Sequence, residues 1–372
     1  MKSEIKTPLI LGIIILSAVI VFSLSLSLLE SPQTLGDMQD ELKTSNSEQK
    51  ISKLGYKKAP KLAGISGYIN TLPDELQKKI DESVVLYDIW TYSCINCVRT
   101  LPFITAWDEK YSDQGLLIIG IHSPEFEFEK NIENVKSAVT KYGIKYPVVL
   151  DNEKKTWKAF ENNYWPRKYI ADHEGYIRYD HIGEGEYDET EKMIQKLLKE
   201  RADAIGMNMT EKEVLVQINE FEHSKIRTPE LYFGYNFATG RNQLGNTEGF
   251  IPTQNVTYAI PNSLQLHRFY LDGTWTNLEG SMKLVSDSGS IILRYVGKEV
   301  NIVTSGEANL RINIDGMPID ASMYGKDVWG SGQIHVHEPG LYNIVQTNMP
   351  EEHTLEIFVD TSGFEIYTFT FG

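Results

Sequence analysis

The two cysteines of this chain, Cys94 and Cys97, stand three positions apart, and the sequence contains no others. They follow a short apolar run, VVLYDIW at 84–90, that is rich in β-branched and aromatic residues. A chain stapled by disulfides would scatter more cysteines along its length. These two can pair only with each other, with a partner protein or with a metal. The fold must therefore rest on ordinary hydrophobic cores.

The composition is compatible with such cores. The chain has 372 residues, of which 41% are hydrophobic, and this length is enough for two domains with linkers. Its formal net charge of −15 argues against nucleic-acid binding, because phosphate contacts need clustered Lys and Arg. We expect a folded protein whose partners do not include nucleic acid.

An uncharged apolar run at 7–29 predicts a single transmembrane helix. At about 1.5 Å per residue it spans the hydrocarbon core of a bilayer, which is ~30 Å thick. Lys2 and Lys6 favour a cytoplasmic N-terminus, with the rest of the chain outside and in contact with lipid through this helix. The alternative is a cleaved secretory signal, which has a shorter apolar core and ends at small residues. We favour the uncleaved anchor in the cell membrane.

The rest of the chain divides by composition. Residues 31–58, after the anchor segment 1–30, are polar and poor in aromatic side chains. Such a segment buries too little apolar surface to offset its chain entropy, so we expect a flexible stalk. Two folded domains are then predicted at 59–203 and 228–372, with a linker at 204–227.

The first of these domains alternates apolar β-rich runs with amphipathic stretches, a pattern typical of an α/β sheet covered on both faces. Strands are predicted at 83–90, 116–122, 146–150, 168–172 and 176–181, and helices at 97–111, 132–142, 154–162 and 188–201.

The second domain is richer in Gly, Asn, Thr and aromatic residues. Its short alternating runs and turn residues predict an all-β jelly-roll sandwich. Strands are predicted at 290–295, 299–304, 309–314, 333–337, 341–346, 354–359 and 365–371. Trp275, Tyr295 and Trp329 suggest a stacking platform for a glycan, although aromatic residues in sandwiches more often lie in the core.

The chemistry is expected where the first predicted strand meets the following helix, at Cys94 and Cys97. The N-terminus of a helix presents unpaired N–H groups and a positive dipole end, which favour a thiolate on Cys94. Cys94 then attacks a substrate disulfide, and Cys97 resolves the mixed disulfide. A c-type haem site needs histidine where Val98 stands, and a structural zinc site needs a second CxxC, so we expect neither cofactor nor metal.

Several strings around this junction resemble a known family. Residues 84–102 (VVLYDIWTYSCINCVRTLP) look like the active-site strand and helix of the thioredoxin superfamily, and more narrowly of its TlpA/ResA-like extracytoplasmic branch. Three later strings extend the resemblance to the soluble C-terminal half of DipZ-type proteins: HSPEFEFEK at 122–130, NYWPRKYIAD at 163–172 and GEGEYDETE at 183–191. That half combines a thioredoxin-like domain with a β-sandwich similar to carbohydrate-binding folds.

The resemblance implies roles for further residues. Asp88 matches the buried carboxylate that assists deprotonation of the second cysteine, and Trp90 packs beside the disulfide and contributes to substrate binding. Pro166 matches a cis-proline opposite the CxxC, and the backbone of Trp165 pairs with the substrate. Glu125, Glu127 and Glu129 are expected at a solvated loop edge; the alternative is that this loop folds over the active site.

The resemblance also implies a thiol–disulfide oxidoreductase that reduces protein disulfides, with apocytochromes of cytochrome c biogenesis among the candidate substrates. Full DipZ-type proteins carry an electron-conducting membrane domain before the thioredoxin part. Here a separate membrane donor of the CcdA/DsbD-like type is expected. Two alternatives stay open: an oxidant or isomerase that forms disulfides, and a surface-binding protein in which the sandwich carries the function.

Overall fold

The structure, a computed structural model, describes residues 55–208, 214–223 and 227–372. The predicted membrane anchor at 7–29 and nearly all of the predicted stalk lie outside these residues. Within the described part of the chain, no helix is long and apolar enough to cross a membrane.

The first domain contains six strands and five helices among the described residues. The strands are β1 Gly67–Ile69, β2 Val84–Trp90, β3 Leu116–His122, β4 Val148–Leu150, β5 Arg167–Ala171 and β6 Ile177–Ile182. The helices are α1 Pro73–Glu82, α2 Ile95–Tyr111, α3 Ile132–Lys141, α4 Lys155–Ala159 and α5 Tyr187–Ala204. The strands form one sheet in the order β1-β4-β3-β2-β5-β6. β2, β3 and β4 run parallel through helical crossovers, whereas β5 and β6 are antiparallel to their neighbours.

The alternation of side chains along β2 decides what faces the cysteines. Successive residues of a strand point to opposite faces of the sheet. Val84, Leu86 and Trp90 pack into the hydrophobic cluster that contains Cys97. The intervening residues pack into a separate cluster on the other face. Asp88 lies an even number of positions from Val84, Leu86 and Trp90, and its side chain therefore points to the same face of the sheet as theirs, the face that Cys97 packs against.

The second domain is β-rich. Its elements are β7 Leu231–Tyr232, α6 Tyr235–Ala238, β8 Asn255–Tyr258, β9 Arg268–Asn277, β10 Met282–Leu284, β11 Gly289–Ser305, β12 Ala308–Ile314, β13 Met317–Pro318, β14 Gln333–Val336, β15 Gly340–Val359 and β16 Glu365–Phe371. Ladder hydrogen bonds connect its ten strands, and every pairing is antiparallel. Apolar residues from the whole network form one core.

The thioredoxin-like α/β fold and the β-rich C-terminal region are confirmed, while the jelly-roll topology and the domain boundaries stay predictions. The strands predicted at 290–295 and 299–304 are two halves of β11, and those predicted at 341–346 and 354–359 are two halves of β15. A register shift between Gly297 and Glu299 interrupts the alternation in β11. In β15 the stretch 346–353 is mostly exposed, so it lacks the apolar alternation that marks a strand.

Of the two interpretations of Trp275, Tyr295 and Trp329, the structure supports the core rather than the glycan platform for the first two. Trp275 and Tyr295 have no solvent exposure and belong to the core of the β-domain. The indole Nε1 of Trp275 donates to the backbone oxygen of Asp272 at 2.9 Å. Trp329 alone is exposed. A single exposed ring does not make a platform.

Candidate active site

Cys94 caps the N-terminus of α2, and Cys97 lies inside its first turn. The backbone N–H of Cys97 donates to the Sγ of Cys94 at 3.3 Å. Both cysteines are free thiols, Cys94 partly exposed and Cys97 completely buried. Burial, with the hydrogen bond to Cys94 as the next cause, raises the pKa of the Cys97 thiol well above its usual value. Only Cys94 is accessible to a substrate.

Asp88 lies on the Cys97 side of the sheet and is completely buried. Neither of its carboxyl oxygens has a hydrogen-bond partner within the described ranges. Burial raises the pKa of Asp88 to about 7, and the charge of Lys168 opposes this rise. Lys168 is the cross-strand partner of Asp88 on β5 and is also buried, which lowers its own pKa. A carboxyl with this pKa exchanges its proton near neutral pH.

Trp90 packs beside the cysteines, but the prediction that it binds substrate is wrong. Its side chain has no solvent exposure and shares the hydrophobic cluster of Cys97. Space for the indole comes from Gly120 on the neighbouring strand, because a Cβ there would stand 2.9 Å from Trp90 Nε1. Trp90 therefore packs in the hydrophobic core beneath the cysteines and stabilises their position.

Trp165 and Pro166 immediately precede β5. Their peptide bond is cis, as the resemblance implies. Trp165 is partly exposed and lines the same cavity as Cys94, whereas Pro166 is buried. The indole Nε1 of Trp165 donates to the backbone oxygen of Ser123 at 2.9 Å, and Lys154 Nζ lies 4.4 Å from the ring centroid. These contacts hold the Trp165 indole beside the cavity. The roles of Trp165 and Pro166 in substrate binding stay predictions.

Glu129 anchors the loop that carries Cys94, a role that the expectation of a solvated loop edge missed. Its carboxylate is buried and accepts hydrogen bonds from the hydroxyls of Thr91 and Ser93, each at 2.5 Å. It also accepts from the backbone N–H groups of Glu125 and Phe126, at 2.6 and 2.9 Å. One carboxylate therefore joins the segment before Cys94 to the loop at 125–126. Of the three glutamates, only the exposed Glu127 fits the expected solvated edge.

A cavity of about 610 Å³ opens beside Cys94, and both domains line it. The first domain contributes Ser93, Cys94, Ile95, Asn96, Glu125, Phe126, Asn163, Tyr164 and Trp165. The opposite wall consists of Arg227, Thr228, Pro229, Glu230, Tyr232, Thr368, Thr370 and Phe371. This wall could not be predicted from the sequence, because its residues come from a short strand, the last strand and a loop that share no sequence pattern.

Apolar and polar contacts hold this wall in place. Phe126 and Phe128 pack against Tyr367, with ring centroids 5.0 and 4.8 Å apart. The hydroxyl of Tyr232 donates to Glu125 Oε1 at 3.1 Å. Arg99, on α2 just after Cys97, forms an ion pair with Glu299 of β11. Glu125, Phe126 and Phe128 of the HSPEFEFEK string thus form a contact between the domains.

Comparison with known proteins agrees with this arrangement. Residues 73–198 match the Redoxin family, and residues 228–372 match the family described as thioredoxin like C-terminal domain. The thioredoxin-like domain that the sequence predicts is thereby confirmed.

Three relatives show how the similarity is distributed. Protein DipZ of Mycobacterium bovis is 32% identical over 322 residues, which cover 84% of this chain and 43% of DipZ. NHL repeat-containing protein 2 of Homo sapiens is 41% identical over 117 residues, 31% of this chain and 16% of that protein. Thiol-disulfide oxidoreductase YkuV of Bacillus subtilis is 28% identical over 141 residues, 38% of this chain and 94% of YkuV.

The chain thus spans less than half the length of DipZ. Similarity to YkuV over nearly the whole of that enzyme indicates the class that the sequence predicts, a thioredoxin-like thiol–disulfide oxidoreductase.

Proposed function

We propose that this protein reduces disulfides in proteins outside the cytoplasm, through Cys94 and Cys97, while its N-terminal segment tethers it to the membrane. The observation that carries the proposal is the unequal exposure of the two thiols. Cys94 caps α2 and faces a cavity, whereas Cys97 is completely buried one turn further on. An accessible thiol paired with a buried one is the arrangement that a two-step exchange requires.

In the first step the Cys94 thiolate attacks one sulfur of a substrate disulfide. A mixed disulfide forms, and the other substrate sulfur leaves as a thiolate that takes up a proton. In the second step the Cys97 thiolate attacks Cys94 Sγ, which releases the second substrate thiol and leaves a Cys94–Cys97 disulfide. Two electrons have then passed to the substrate, and a dithiol donor must return two electrons to the enzyme.

Asp88 serves the second step. The Cys97 thiol must lose its proton in a buried environment that raises its pKa, and the charge of Asp88 contributes to that rise. Because its pKa is about 7, the Asp88 carboxylate can accept the proton of the Cys97 thiol. This transfer neutralises the buried carboxylate, and the Cys97 sulfur that has lost its proton attacks Cys94 Sγ. We assign to Asp88 the role of proton acceptor for Cys97.

The reductive direction and the membrane donor rest on the resemblance to TlpA/ResA-like and DipZ-type proteins. In the proposed arrangement, residues 1–30 form the anchor and 31–58 the stalk, and a separate CcdA/DsbD-like membrane protein supplies the electrons. Residues 59–203 carry the exchange chemistry, and the jelly-roll domain at 228–372 lies beyond the linker 204–227. Pro166 and the backbone of Trp165 receive the substrate strand.

The reduction potential of the Cys94–Cys97 couple tests the direction. Equilibration of the purified protein against a dithiothreitol series, with the oxidised fraction read by thiol alkylation and mass spectrometry, gives this value. We expect a potential near that of thioredoxin, about −270 mV. A potential near that of strong disulfide-forming oxidants, about −120 mV, would contradict the reductive direction and favour a protein that forms disulfides.

A further inference from the structure

The cavity beside Cys94 contains polar groups that the exchange chemistry does not use. Two carboxylates and one guanidinium line it among the described residues, those of Glu125, Glu230 and Arg227. Arg227 Nη1 lies 2.8 Å from His223 Nδ1. Two further cations do not line the cavity themselves but lie over rings that do, Lys154 over Trp165 and Arg241 over Tyr232. The lining therefore carries an excess of negative charge.

The two carboxylates lie close together although they belong to different domains. Tyr232 joins them, because its hydroxyl donates to Glu125 Oε1 at 3.1 Å and also interacts with Glu230. Burial, followed by the charges of Glu230 and Glu129, raises the pKa of Glu125 to about 8. With this pKa, Glu125 holds its proton at neutral pH, so the two neighbouring carboxylates are not both ionised. A cation bound between them would favour the ionised form of both.

Thr370 adds an independent sign of a binding site on the same wall. It lines the cavity, is only 6% exposed, and its hydroxyl has no hydrogen-bond partner in the described part of the chain. Buried hydroxyls in folded proteins are nearly always hydrogen-bonded, so an unpaired one calls for a partner. Thr370 and Glu230 both belong to the β-domain, on the wall that faces Cys94.

We propose that this cavity binds an extended cysteine-containing polypeptide segment with a Lys or Arg next to the cysteine, whose cation is held by Glu125 and Glu230. The proposal rests on the function proposed above and names the substrate class. A second wall beside Cys94 excludes a broad folded surface, and a cavity of about 610 Å³ is in the size range that holds a few residues. The β-domain is then a specificity element for the exchange.

The test uses three peptides that differ only beside the cysteine. Each is a short peptide in mixed disulfide with a chromogenic thiol, and the neighbouring residue is Lys, Gln or Glu. We would measure kcat/KM for each peptide with the full chain, residues 1–372, purified in detergent. We expect the Lys peptide to exceed the Glu peptide by about tenfold at low salt, and the ratio to fall as salt screens the charges.

Two variants and one control assign the preference to the cavity. Glu230→Gln should narrow the Lys-to-Glu ratio, and Glu230→Lys should invert it. Glu307→Gln removes the same charge from an exposed position of the same domain and should leave the ratio unchanged. Thermal unfolding of each variant shows whether it is folded, and Glu230→Gln, the milder change, keeps the test decisive if Glu230→Lys does not fold.

The outcomes separate the two proposals. Equal kcat/KM for the three peptides, or the same ratio in Glu230→Gln as in the parent, overturns the cation site and leaves the reductase intact. Failure of the parent protein to exchange with any peptide contradicts the proposed function itself. If Glu307→Gln narrows the Lys-to-Glu ratio as much as Glu230→Gln does, the preference does not arise in the cavity and the cation site is overturned as well.

Discussion

The two thiols of the CxxC lie in opposite surroundings. Cys97 is sealed in a hydrophobic cluster in front of Asp88, whose carboxyl oxygens have no hydrogen-bond partner among the described residues. Cys94, three residues earlier, faces a cavity whose far wall comes from another domain. In the proposed mechanism, a proton is transferred on the buried side and the substrate binds on the open side. One helix turn thus separates two tasks that place contrary demands on solvent access.

The residues on the two sides of the CxxC are also held in place by different interactions. The buried side depends on strand periodicity, which places Asp88 and Trp90 on the same face of β2. The open side depends on contacts between domains, among them the packing of Phe126 and Phe128 on Tyr367. Substitutions on the first side should alter the resolution step and its pH dependence, and those on the second should alter which substrates react.

The largest effect is expected from loss of the exposed thiol. Cys94→Ser should lower the rate of insulin disulfide reduction by about 10³-fold or more, because the covalent route is removed. Insulin turbidity with dithiothreitol as donor measures the rate. A Cys94→Ser protein that reduces insulin as well as the parent would contradict the catalytic role.

A second effect concerns stability and follows from the pKa of Asp88. The carboxyl holds its proton up to about pH 7 in the folded protein, against an ordinary value of 3.8. Because the folded state binds more protons than the unfolded state in this window, the contribution of Asp88 to stability falls as the pH rises from about 4 to 7. The stability of Asp88→Asn relative to the parent should therefore rise across this window, by up to about 4 kcal/mol.

Chemical unfolding of both proteins at pH 4, 6 and 8 measures this slope. Asp113→Asn, which changes an exposed aspartate, serves as the matched control and should show no such trend. A pH-independent difference between Asp88→Asn and the parent would mean that the carboxyl titrates at its ordinary pKa.

Turnover should respond to the same substitution. Asp88→Asn should slow insulin reduction by about 100-fold at pH 7, since general-base assistance typically contributes about 10²-fold or more. The inflection near pH 7 in the pH–rate profile should disappear, which a purely structural role would not produce. Persistence of that inflection in the variant would assign it to another group.

The smallest effect is expected at Glu129, which joins the segment before Cys94 to the loop that contacts the second domain. Glu129→Ala leaves the Thr91 and Ser93 hydroxyls and two backbone N–H groups without their acceptor, and should destabilise the protein by about 1–3 kcal/mol. Glu127→Ala, on the same loop but exposed, is the control and should be nearly neutral. Equal unfolding midpoints for the two variants would show that the buried network does not support the loop.

The sequence was sufficient for the buried side and insufficient for the open side. The CxxC, the apolar run of β2 and the Trp165-Pro166 string are local patterns, and each maps to one element of the fold. The C-terminal wall could not be predicted, because β7 has two residues and Thr370 and Glu230 meet only through long-range pairing. Glu129 was expected to be solvated, since no local pattern distinguishes a buried carboxylate with four donors from an exposed one.

Trapping of the mixed disulfide tests the central claim, the division of labour between the two thiols. Cys97→Ser protein is incubated with a disulfide-bonded peptide, quenched with acid and analysed by mass spectrometry, with Cys94→Ser treated in parallel. We expect a stable peptide adduct on Cys94 in Cys97→Ser and little or no adduct on the buried Cys97 in Cys94→Ser. Equal adduct formation in both variants would contradict the claim that only Cys94 meets the substrate.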